Sequence, residues 1–280
     1  MNLISAINKA NQKLKKQGIT SSRLDCEILM SAVIGKEKED IILNPNEFIS
    51  ETKMKIFDDL IDERAKKKPV AYLTGIKEFW KYKFYVTKDV LIPRPETEII
   101  IEQALILTKN KKNLIFLDIG VGSGCIILSL LKEKANFLGT GIDVSKESLR
   151  ICKINSDKLG VSNRIKLFKS DIDNFNFGKY DLIVSNPPYI NNFELKCLDD
   201  DVIGYEPIKA LDGGVEGLSQ IKKVIRKSSK LIKKNGTLIL EIGFGQKNKV
   251  LSLLKDNEFY INGIIKDLSN KDRCIISTKI

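Results

Sequence analysis

The sequence predicts an α/β protein: a mostly parallel β-sheet with an antiparallel last strand, covered by helices and preceded by a small helical bundle and a β-hairpin. Three observations carry this prediction. Residues 2–68 show helical spacing of apolar side chains, residues 78–86 alternate as a hairpin does, and strand and helix patterns alternate after residue 113. We therefore expect a helical domain at 1–68, a connector at 69–98 and a sheet domain at 99–280.

The N-terminal region predicts the helical bundle. Leu3, Ile7, Ala10 and Leu14 recur at helical spacing and give one apolar face. The same spacing returns in two further segments, which glycines and the breaker Pro45 separate.

The connector begins at residue 69, where the helical spacing of apolar residues ends. The stretch EFWKYKFYV, residues 78–86, is aromatic and alternating, which is typical of a short hairpin. In IPRPETE, residues 92–98, Pro95 stands at a helix start, and two glutamates occupy the first turn, where the helix dipole favours acids.

After residue 113, buried strand patterns alternate with helical ones. The predicted strands are 114–117, 137–142, 165–168, 180–184 and 237–242, followed by an antiparallel pair at 260–265 and 274–278. The helical patterns lie near 124–134, 145–159, 217–233 and 246–256. Because parallel strands need crossover connections, this alternation predicts a parallel sheet with helices on both faces.

The composition narrows the classes of protein and of chemistry. With 42% hydrophobic and 30% charged residues the chain can bury a core, and no apolar run approaches the about 18 residues that a membrane span needs. We expect a cytoplasmic protein without a membrane partner. The five cysteines lie far apart and histidine is absent, so we expect no disulfide and no metal site, and catalysis without imidazole.

The formal charge of +11 leaves two interpretations open. Only seven of the 47 basic residues are Arg, and the Lys residues are interspersed with Asp and Glu. Proteins that read nucleic acid lean more on Arg, whose guanidinium makes bidentate contacts. The charge fits solvated lysine-rich faces or an acidic macromolecular partner, and stable binding of nucleic acid is not expected.

A glycine-rich loop follows the first strand of the predicted sheet. In DIGVGSGC, residues 118–125, three glycines allow a tight turn before a helix start. The G-x-G-x-G spacing differs from the dinucleotide pattern G-x-G-x-x-G, which disfavours NAD. Asp143 ends the second strand, where an acid can accept both ribose hydroxyls, and Asp171 follows the third.

Simpler interpretations exist for each feature, because glycine turns make sharp corners and Asp often caps turns. Together, an acid after each of three consecutive strands beside a glycine loop resembles the cofactor crevice of class I S-adenosylmethionine-dependent methyltransferases.

The segment SNPPYI, residues 185–190, follows the fourth strand and faces the same crevice, because ligands of such sheets bind beyond the carboxyl ends of the strands. A planar amide or base amino nitrogen is a poor nucleophile, since its lone pair is delocalised. The Asn186 side-chain oxygen and the Pro187 carbonyl can accept its two N–H groups, while Pro188 stiffens the backbone and Tyr189 packs on the flat substrate group. The motif predicts methylation of a planar nitrogen, and leaves glutamine and the nucleobase amino groups open; a rigid turn is the plainer alternative.

Six motifs taken together make the resemblance specific to one family of methyltransferases. PVAYLTGIKEFW (69–80), FYVTKDVLIPRPETE (84–98), DIGVGSGC, SNPPYI, YEP (205–207) and ALDGGVEGL (210–218) resemble the bacterial HemK family, the protein-(glutamine-N5) methyltransferases of class 1 peptide chain release factors. IPRPETE is the discriminating motif, because NPPY also occurs in DNA and RNA methyltransferases. The resemblance runs through nearly the whole chain.

The resemblance implies a Rossmann-like class I methyltransferase fold with S-adenosyl-L-methionine as cofactor. The implied target is the glutamine of the release factor Gly-Gly-Gln motif, with N5-methylglutamine and S-adenosylhomocysteine as products. It also implies that the helical domain docks the release factor. We expect the enzyme to be a monomer.

The resemblance also places site residues by position. Cofactor positions fall on Gly120, Val121, Gly122, Ser123, Gly124, Asp143, Asp171, Ile172 and Asn186. Substrate positions fall on Asn186, Pro187, Pro188 and Tyr189, and the catalytic ones among these are Asn186, Pro187 and Tyr189. Arg94 and Thr97 close over the cofactor or, alternatively, form an ordinary polar helix start.

One departure from the family and two unassigned acids remain. Many relatives have an aromatic at the position of Ile172, which therefore gives the adenine apolar packing without stacking. No role is assigned to Glu206 or Asp212.

Two other functions compete with this one. A nucleic-acid amino methyltransferase performs the same reaction class, but the sequence lacks an Arg-rich or aromatic-basic recognition module. A non-catalytic binding module is disfavoured because the glycine loop, Asp143 and the N-P-P-Y segment are all intact.

Overall fold

A computed structural model describes all 280 residues and divides the chain into two compact units. The first unit comprises Met1–Ile76 and Asp199–Tyr205, and the second comprises Lys77–Leu198 and Glu206–Ile280. The first unit is therefore discontinuous in sequence. The expected domain limits at residues 68 and 98, and the connector role of the segment between them, stay predictions.

The first unit is a helical bundle. Its helices are α1 (Leu3–Lys16), α2 (Ser22–Ile34), α3 (Lys38–Leu43), α4 (Glu51–Ala65), α5 (Val70–Thr74) and, in chain order, α9 (Asp200–Ile203). The predicted apolar face of α1 is buried. Asn2 caps α1 by accepting the Ser5 N–H at 3.0 Å. Between α2 and α4, Arg64 Nε donates to Asp25 Oδ2 at 2.8 Å, and both side chains are buried.

The second unit holds a hairpin, whose first residue Ile76 is the last of the Met1–Ile76 segment, a seven-stranded sheet and the remaining helices. Its strands are β1 (Ile76–Phe79), β2 (Tyr82–Tyr85), β3 (Leu114–Ile119), β4 (Phe137–Asp143), β5 (Ile165–Lys169), β6 (Tyr180–Ser185), β7 (Ile232–Glu241), β8 (Phe259–Lys266) and β9 (Asp272–Lys279). Its helices are α6 (Glu98–Leu107), α7 (Cys125–Glu133), α8 (Lys146–Lys158), α10 (Ser219–Leu231) and α11 (Lys247–Asp256). A 3-10 turn at Pro95–Thr97 leads into α6.

The sheet is mostly parallel, as predicted. Its strand order is β5-β4-β3-β6-β7-β9-β8. The first five of these strands pair in parallel, and β9 runs antiparallel to both β7 and β8. The order reverses direction beside β3, so β3 and β6 flank the switch point where doubly wound sheets bind ligands.

Alternating side chains of the central strands build two cores, one on each face of the sheet. Phe116 and Leu182 point into the core that α6 and α7 cover, whereas Leu117 and Ile183 point into the core that α10 and α11 cover. All four are almost fully buried, and each such side chain stabilises the fold by about 1.5–3 kcal/mol. None of the helices is both long and apolar enough to span a bilayer.

The carboxyl ends of five strands lie at one level. Ile119 on β3 pairs with Ile142 on β4 and with Ser185 on β6, and Ser185 pairs in turn with Leu240 on β7. On the other side, Asp143 at the end of β4 pairs with Lys169 on β5. The loops that leave these strands therefore share one edge of the sheet.

Candidate active site

The predicted site residues lie along that edge. From β5 to β7 the strand ends present Asp171, Asp143, the glycine loop and Asn186 in this order, and Glu241 ends β7. Neighbouring strands lie about 4.8 Å apart, so these groups follow one another along the same edge of the sheet.

The glycine loop between β3 and α7 has the backbone that its sequence requires. Gly120, Gly122 and Gly124 have φ values of 81°, 52° and 85°, which residues with a side chain rarely adopt. A Cβ on Gly124 would approach Cys152 Sγ to 2.7 Å, so this glycine is needed for packing. A Cβ on Gly120 would meet no atom within 4 Å, which leaves open space above the loop for a ligand.

Asp143 is tied to the glycine loop. Its Oδ2 accepts the Gly122 N–H at 3.0 Å, and its Oδ1 accepts the Ser145 N–H at 2.8 Å. Burial raises the pKa of the Asp143 carboxyl. Because each carboxylate oxygen can accept more than one hydrogen bond, Asp143 retains the capacity to bind two hydroxyl groups of a ligand.

Asp171 and Ile172 follow β5, the neighbour of β4, and neither side chain hydrogen-bonds to the Asp143 carboxyl group. Asp171 Oδ1 accepts the Asp173 N–H at 2.8 Å and so opens a short turn. Ile172 is 7% exposed and packs in the core beside Phe175. The backbone connects the two acids, since the Ser170 N–H donates to the Asp143 carbonyl at 3.0 Å.

Asn186 and Thr97 are brought together from positions 89 residues apart. Asn186 Nδ2 donates to Thr97 Oγ1 at 3.0 Å, and Thr97 is only 2% exposed. This bond assigns the amide orientation and leaves Asn186 Oδ1 without a protein donor. Pro187 is buried, and its carbonyl also accepts no hydrogen bond from the protein. Two neighbouring acceptors are thus available at the end of β6.

Tyr189 is held on the side of β7 and β9. Its hydroxyl donates to Glu241 Oε1 at 3.2 Å, and Arg273 Nη1 lies 3.4 Å from the same hydroxyl. Its carbonyl accepts from Gln246 Nε2 at 2.9 Å. Burial and the charge of Glu241 raise the pKa of the Tyr189 hydroxyl, which stays protonated at neutral pH. Whether the ring also contacts substrate stays a prediction.

Arg94 does not hydrogen-bond to Asn186 or to the glycine loop. It pairs with Glu206, whose Oε2 also accepts the Ile92 N–H at 3.2 Å. Glu206 is only 4% exposed. This acid, to which the sequence assigned no role, therefore holds the segment that precedes α6.

The loop after β6 returns to the Asn186–Tyr189 segment, which we call the corner. The Ile190 N–H donates to the Leu211 carbonyl at 3.1 Å, and the Gly213 N–H donates to the Ile190 carbonyl at 2.8 Å. Asp212 Oδ1 accepts the Gly214 N–H at 2.8 Å, which shapes the returning turn.

Two further residues of this edge, Glu241 and Asn155, were missed from the sequence, whereas Asp118 is the acid after the first predicted strand, to which no separate role was given. Asp118, which ends the β3 pattern, is 1% exposed, and neither of its carboxylate oxygens has a hydrogen-bond partner. Burial and the charge of Asp143 raise the pKa of Asp118 to about 7. Glu241 is equally buried. For Glu241 the available signal was an acid near the carboxyl end of the predominantly apolar run 237–242.

Asn155 on α8 is the other missed residue. Its Nδ2 donates to the carbonyls of Tyr85 at 2.9 Å and Ser123 at 2.8 Å, and its Oδ1 accepts the Tyr85 N–H at 2.8 Å. It therefore links the end of the hairpin to the glycine loop. A lone Asn in a helix gives no sequence signal for such a contact.

Comparisons with known proteins agree with the fold. The family model of the PrmC N-terminal domain matches residues 5–75, and a methyltransferase domain model matches residues 110–277. A methyltransferase structure from Pyrococcus furiosus is similar in fold, with a TM-score of 0.51 at 17% identity, covering 70% of this chain and 88% of that one.

Two curated relatives are similar over nearly all of this chain. The bifunctional methyltransferase of Rickettsia typhi is 36% identical over 96% of this chain, which spans only 56% of that longer protein. The release factor glutamine methyltransferase of Buchnera aphidicola subsp. Baizongia pistaciae is 38% identical, and the match covers 100% of both chains. Since the likeness to the latter extends from end to end, the chain belongs to the release factor glutamine methyltransferase family.

Proposed function

We propose that this enzyme methylates the N5 amide nitrogen of the glutamine in the Gly-Gly-Gln motif of class 1 peptide chain release factors, with S-adenosyl-L-methionine as methyl donor. One observation carries the proposal: Asn186 Oδ1 and the Pro187 carbonyl are adjacent acceptors without protein donors, beside the glycine loop. The end-to-end similarity to a release factor glutamine methyltransferase supports the choice of acceptor.

The residues of the edge fit the cofactor. The loop Gly120–Gly124 would hold its carboxyl end, where the space above Gly120 is open, and Asp143 would accept the ribose hydroxyls. Asp171 and Ile172 would border the adenine. When bound, S-adenosylmethionine supplies an electrophilic methyl group and is released as S-adenosylhomocysteine.

Asn186 and Pro187 perform the positioning step. They accept the two N–H groups of the substrate amide, which fixes the plane of the amide and directs its nitrogen lone pair toward the methyl group. Thr97 fixes the Asn186 amide so that the oxygen faces the substrate. The substrate nitrogen loses a proton to solvent once the N–C bond has formed, so no histidine is required. Pro188 stiffens the corner, and Tyr189 borders the substrate side chain.

The partner and setting follow from the same proposal. The helical unit docks the release factor, and the enzyme acts in the cytoplasm as a monomer without stable binding of nucleic acid. Arg94, held by Glu206, borders the cofactor side of the crevice.

Labelling with the methyl donor tests the proposal. The pure enzyme is incubated with isotopically labelled S-adenosylmethionine and, in parallel, with a release factor, its Gly-Gly-Gln variant carrying Gln→Ala, and DNA or RNA. We expect label in the unmodified release factor alone. Label in nucleic acid, or equal label in the Gln→Ala variant, contradicts the assignment and favours the nucleic-acid alternative.

A further inference from the structure

Glu241 is a buried acid that the reaction outlined above does not use. It ends β7, next to Asn186 in the sheet order, and is 1% exposed. It forms no ion pair. Arg273 on β9 lies near it, but the guanidinium bonds instead to Asp267, with Nε and Nη2 each 3.1 Å from Oδ2. A carboxylate without a cation at this depth is costly to the fold.

One hydrogen bond joins Glu241 to the Asn186–Tyr189 segment. Oε1 accepts the Tyr189 hydroxyl at 3.2 Å. The Thr97 hydroxyl, which accepts Asn186 Nδ2 at 3.0 Å, lowers the pKa of the same carboxyl group, although no hydrogen bond joins Thr97 to Glu241. Glu241 Oε2 has no hydrogen-bond partner in the protein. Glu241 thus contacts Tyr189 directly, and the strand register places it beside Asn186, because the preceding residues Leu240 and Ser185 are paired.

The direction of the hydroxyl bonds explains why an acid is useful here. The negative charge of a carboxylate attracts the positive end of the Thr97 O–H dipole, which leaves the Thr97 lone pairs to Asn186 Nδ2. Without the negative charge, the Thr97 hydroxyl can donate to Asn186 Oδ1 instead. The amide would then turn, and the oxygen that must meet the substrate would be occupied.

We propose that Glu241 is a positioning residue, whose carboxylate holds Tyr189 directly and, through Thr97, keeps Asn186 Oδ1 turned toward the acceptor amide. This inference rests on the proposed function of Asn186.

The groups around Glu241 determine the pKa of its carboxyl group and therefore the pH range in which it positions Asn186 and Tyr189. Burial raises the pKa of Glu241 to about 7, against the opposing influence of Thr97, Arg273 and Tyr189, and Glu96 raises it further. Burial and, to a smaller extent, the charge of Glu241 raise the pKa of two thiols, Cys125 and Cys274, which therefore stay neutral. Glu241 is therefore ionised above about pH 7, and the positioning is lost as the pH falls through that value.

The variant Glu241→Gln tests the inference, with Asp181→Asn as control. Asp181 lies at the opposite end of β6 and bonds to the Ile115 N–H and to Lys233. For E241Q we expect kcat for the release factor to fall about 10- to 100-fold, as for other residues that orient a ligand-contacting group, with cofactor affinity within about twofold. D181N should keep the kcat of the unaltered enzyme.

The pH profile separates positioning from a structural role. In the unaltered enzyme kcat should rise as the pH passes through about 7, and in E241Q this rise should be absent. Unchanged kcat with an unchanged profile in E241Q overturns the inference, as does a parallel loss of cofactor affinity and of melting temperature.

A second measurement does not depend on turnover. In 15N-labelled protein, the Asn186 side-chain NH2 resonances, assigned by their loss in Asn186→Ser, should shift as the pH crosses about 7 and should not do so in E241Q. Resonances that ignore both the pH and the substitution contradict the inference even if no release factor is methylated. Absence of methylation by the unaltered enzyme instead contradicts the proposed function.

Discussion

At the scale of single residues, the two unoccupied acceptors at the corner carry the proposed chemistry. We expect Asn186→Ala to lower kcat by at least about 100-fold, because the substrate amide loses its orientation, while the dissociation constant of S-adenosylmethionine changes little. Single-turnover kinetics and calorimetric titration measure the two quantities. Asn191→Ala, which removes only a loop cap on the Phe193 and Glu194 N–H groups, is the control. An equal loss of binding and turnover would show that Asn186 mainly holds the cofactor.

Substitution of Asp143 should have the complementary effect, a loss of cofactor binding. Asp143→Ala removes the acceptor of the Gly122 N–H and the proposed ribose ligand, so cofactor affinity should fall roughly 10- to 100-fold. Asp143→Asn keeps the shape and one acceptor oxygen, and should lose less. Calorimetric titration with S-adenosylmethionine measures both variants. Unchanged affinity in the Ala variant would mean that the ribose lies elsewhere.

Asp118 predicts an effect of pH on stability. Its folded pKa of about 7 lies above the ordinary value of 3.8, so the folded state binds its proton more tightly. Stability from this group is complete below about pH 4 and is lost as the pH rises through 7, by roughly 4 kcal/mol in total. Asp118→Asn should therefore unfold at higher denaturant concentration than the unaltered protein at pH 8, and similarly at pH 4. A gap independent of pH would contradict the ionisation argument.

At the scale of elements, the loop between β6 and α10 shapes the corner by close backbone approach. Gly217 has φ of 70°, and a Cβ there would collide with the Tyr189 carbonyl oxygen. Gly217→Ala should displace the corner and lower kcat strongly. Gly245 has a similar φ of 80° but open space around its Cβ position, so Gly245→Ala should show only the backbone strain of about 1–2 kcal/mol. Equal kcat in the two variants would mean that the collision is relieved without moving the site.

The regular elements of the second unit could be predicted because their signals are local. The strand predicted at 180–184 is Tyr180–Ser185, and the helix predicted at 145–159 is Lys146–Lys158. The strand predicted at 237–242 begins earlier, at Ile232, because pairing with β6 extends it through polar residues that show no strand pattern.

The site was only partly predictable for a related reason. Motifs revealed the glycine loop and the N-P-P-Y segment, since each is contiguous. The contacts that orient them join residues far apart in sequence: Asn186 with Thr97, Arg94 with Glu206, and Asn155 with Ser123. Tertiary packing alone creates these pairs, so one sequence without relatives does not reveal them.

At the scale of the whole molecule, the two compact units should respond separately to a local change. Asp25→Ala leaves Arg64 buried without its partner in the helical unit, which should destabilise that unit by about 3–5 kcal/mol. Hydrogen exchange measured by mass spectrometry should accelerate in Met1–Ile76 and in Asp199–Tyr205, which belongs to the same unit. Peptides from β3 to β7 should be unaffected.

Asp62→Ala is the matched control for that experiment, because the pair of Asp62 with Lys13 is solvent-exposed and should contribute little. The division into units would be contradicted if the sheet peptides accelerated as much as those of the helical unit, or if Asp199–Tyr205 kept its rate.

The discontinuous helical unit has a consequence for synthesis of the chain on the ribosome. Domains usually fold in the order in which they emerge, the N-terminal one first. Here α1 to α5 emerge early, but the unit also contains Asp199–Tyr205, and the Tyr205 hydroxyl donates to the Lys66 carbonyl at 2.8 Å. The first part of the protein to be translated is thus completed only after β3 to β6 have left the exit tunnel, so its maturation waits on the synthesis of most of the catalytic sheet.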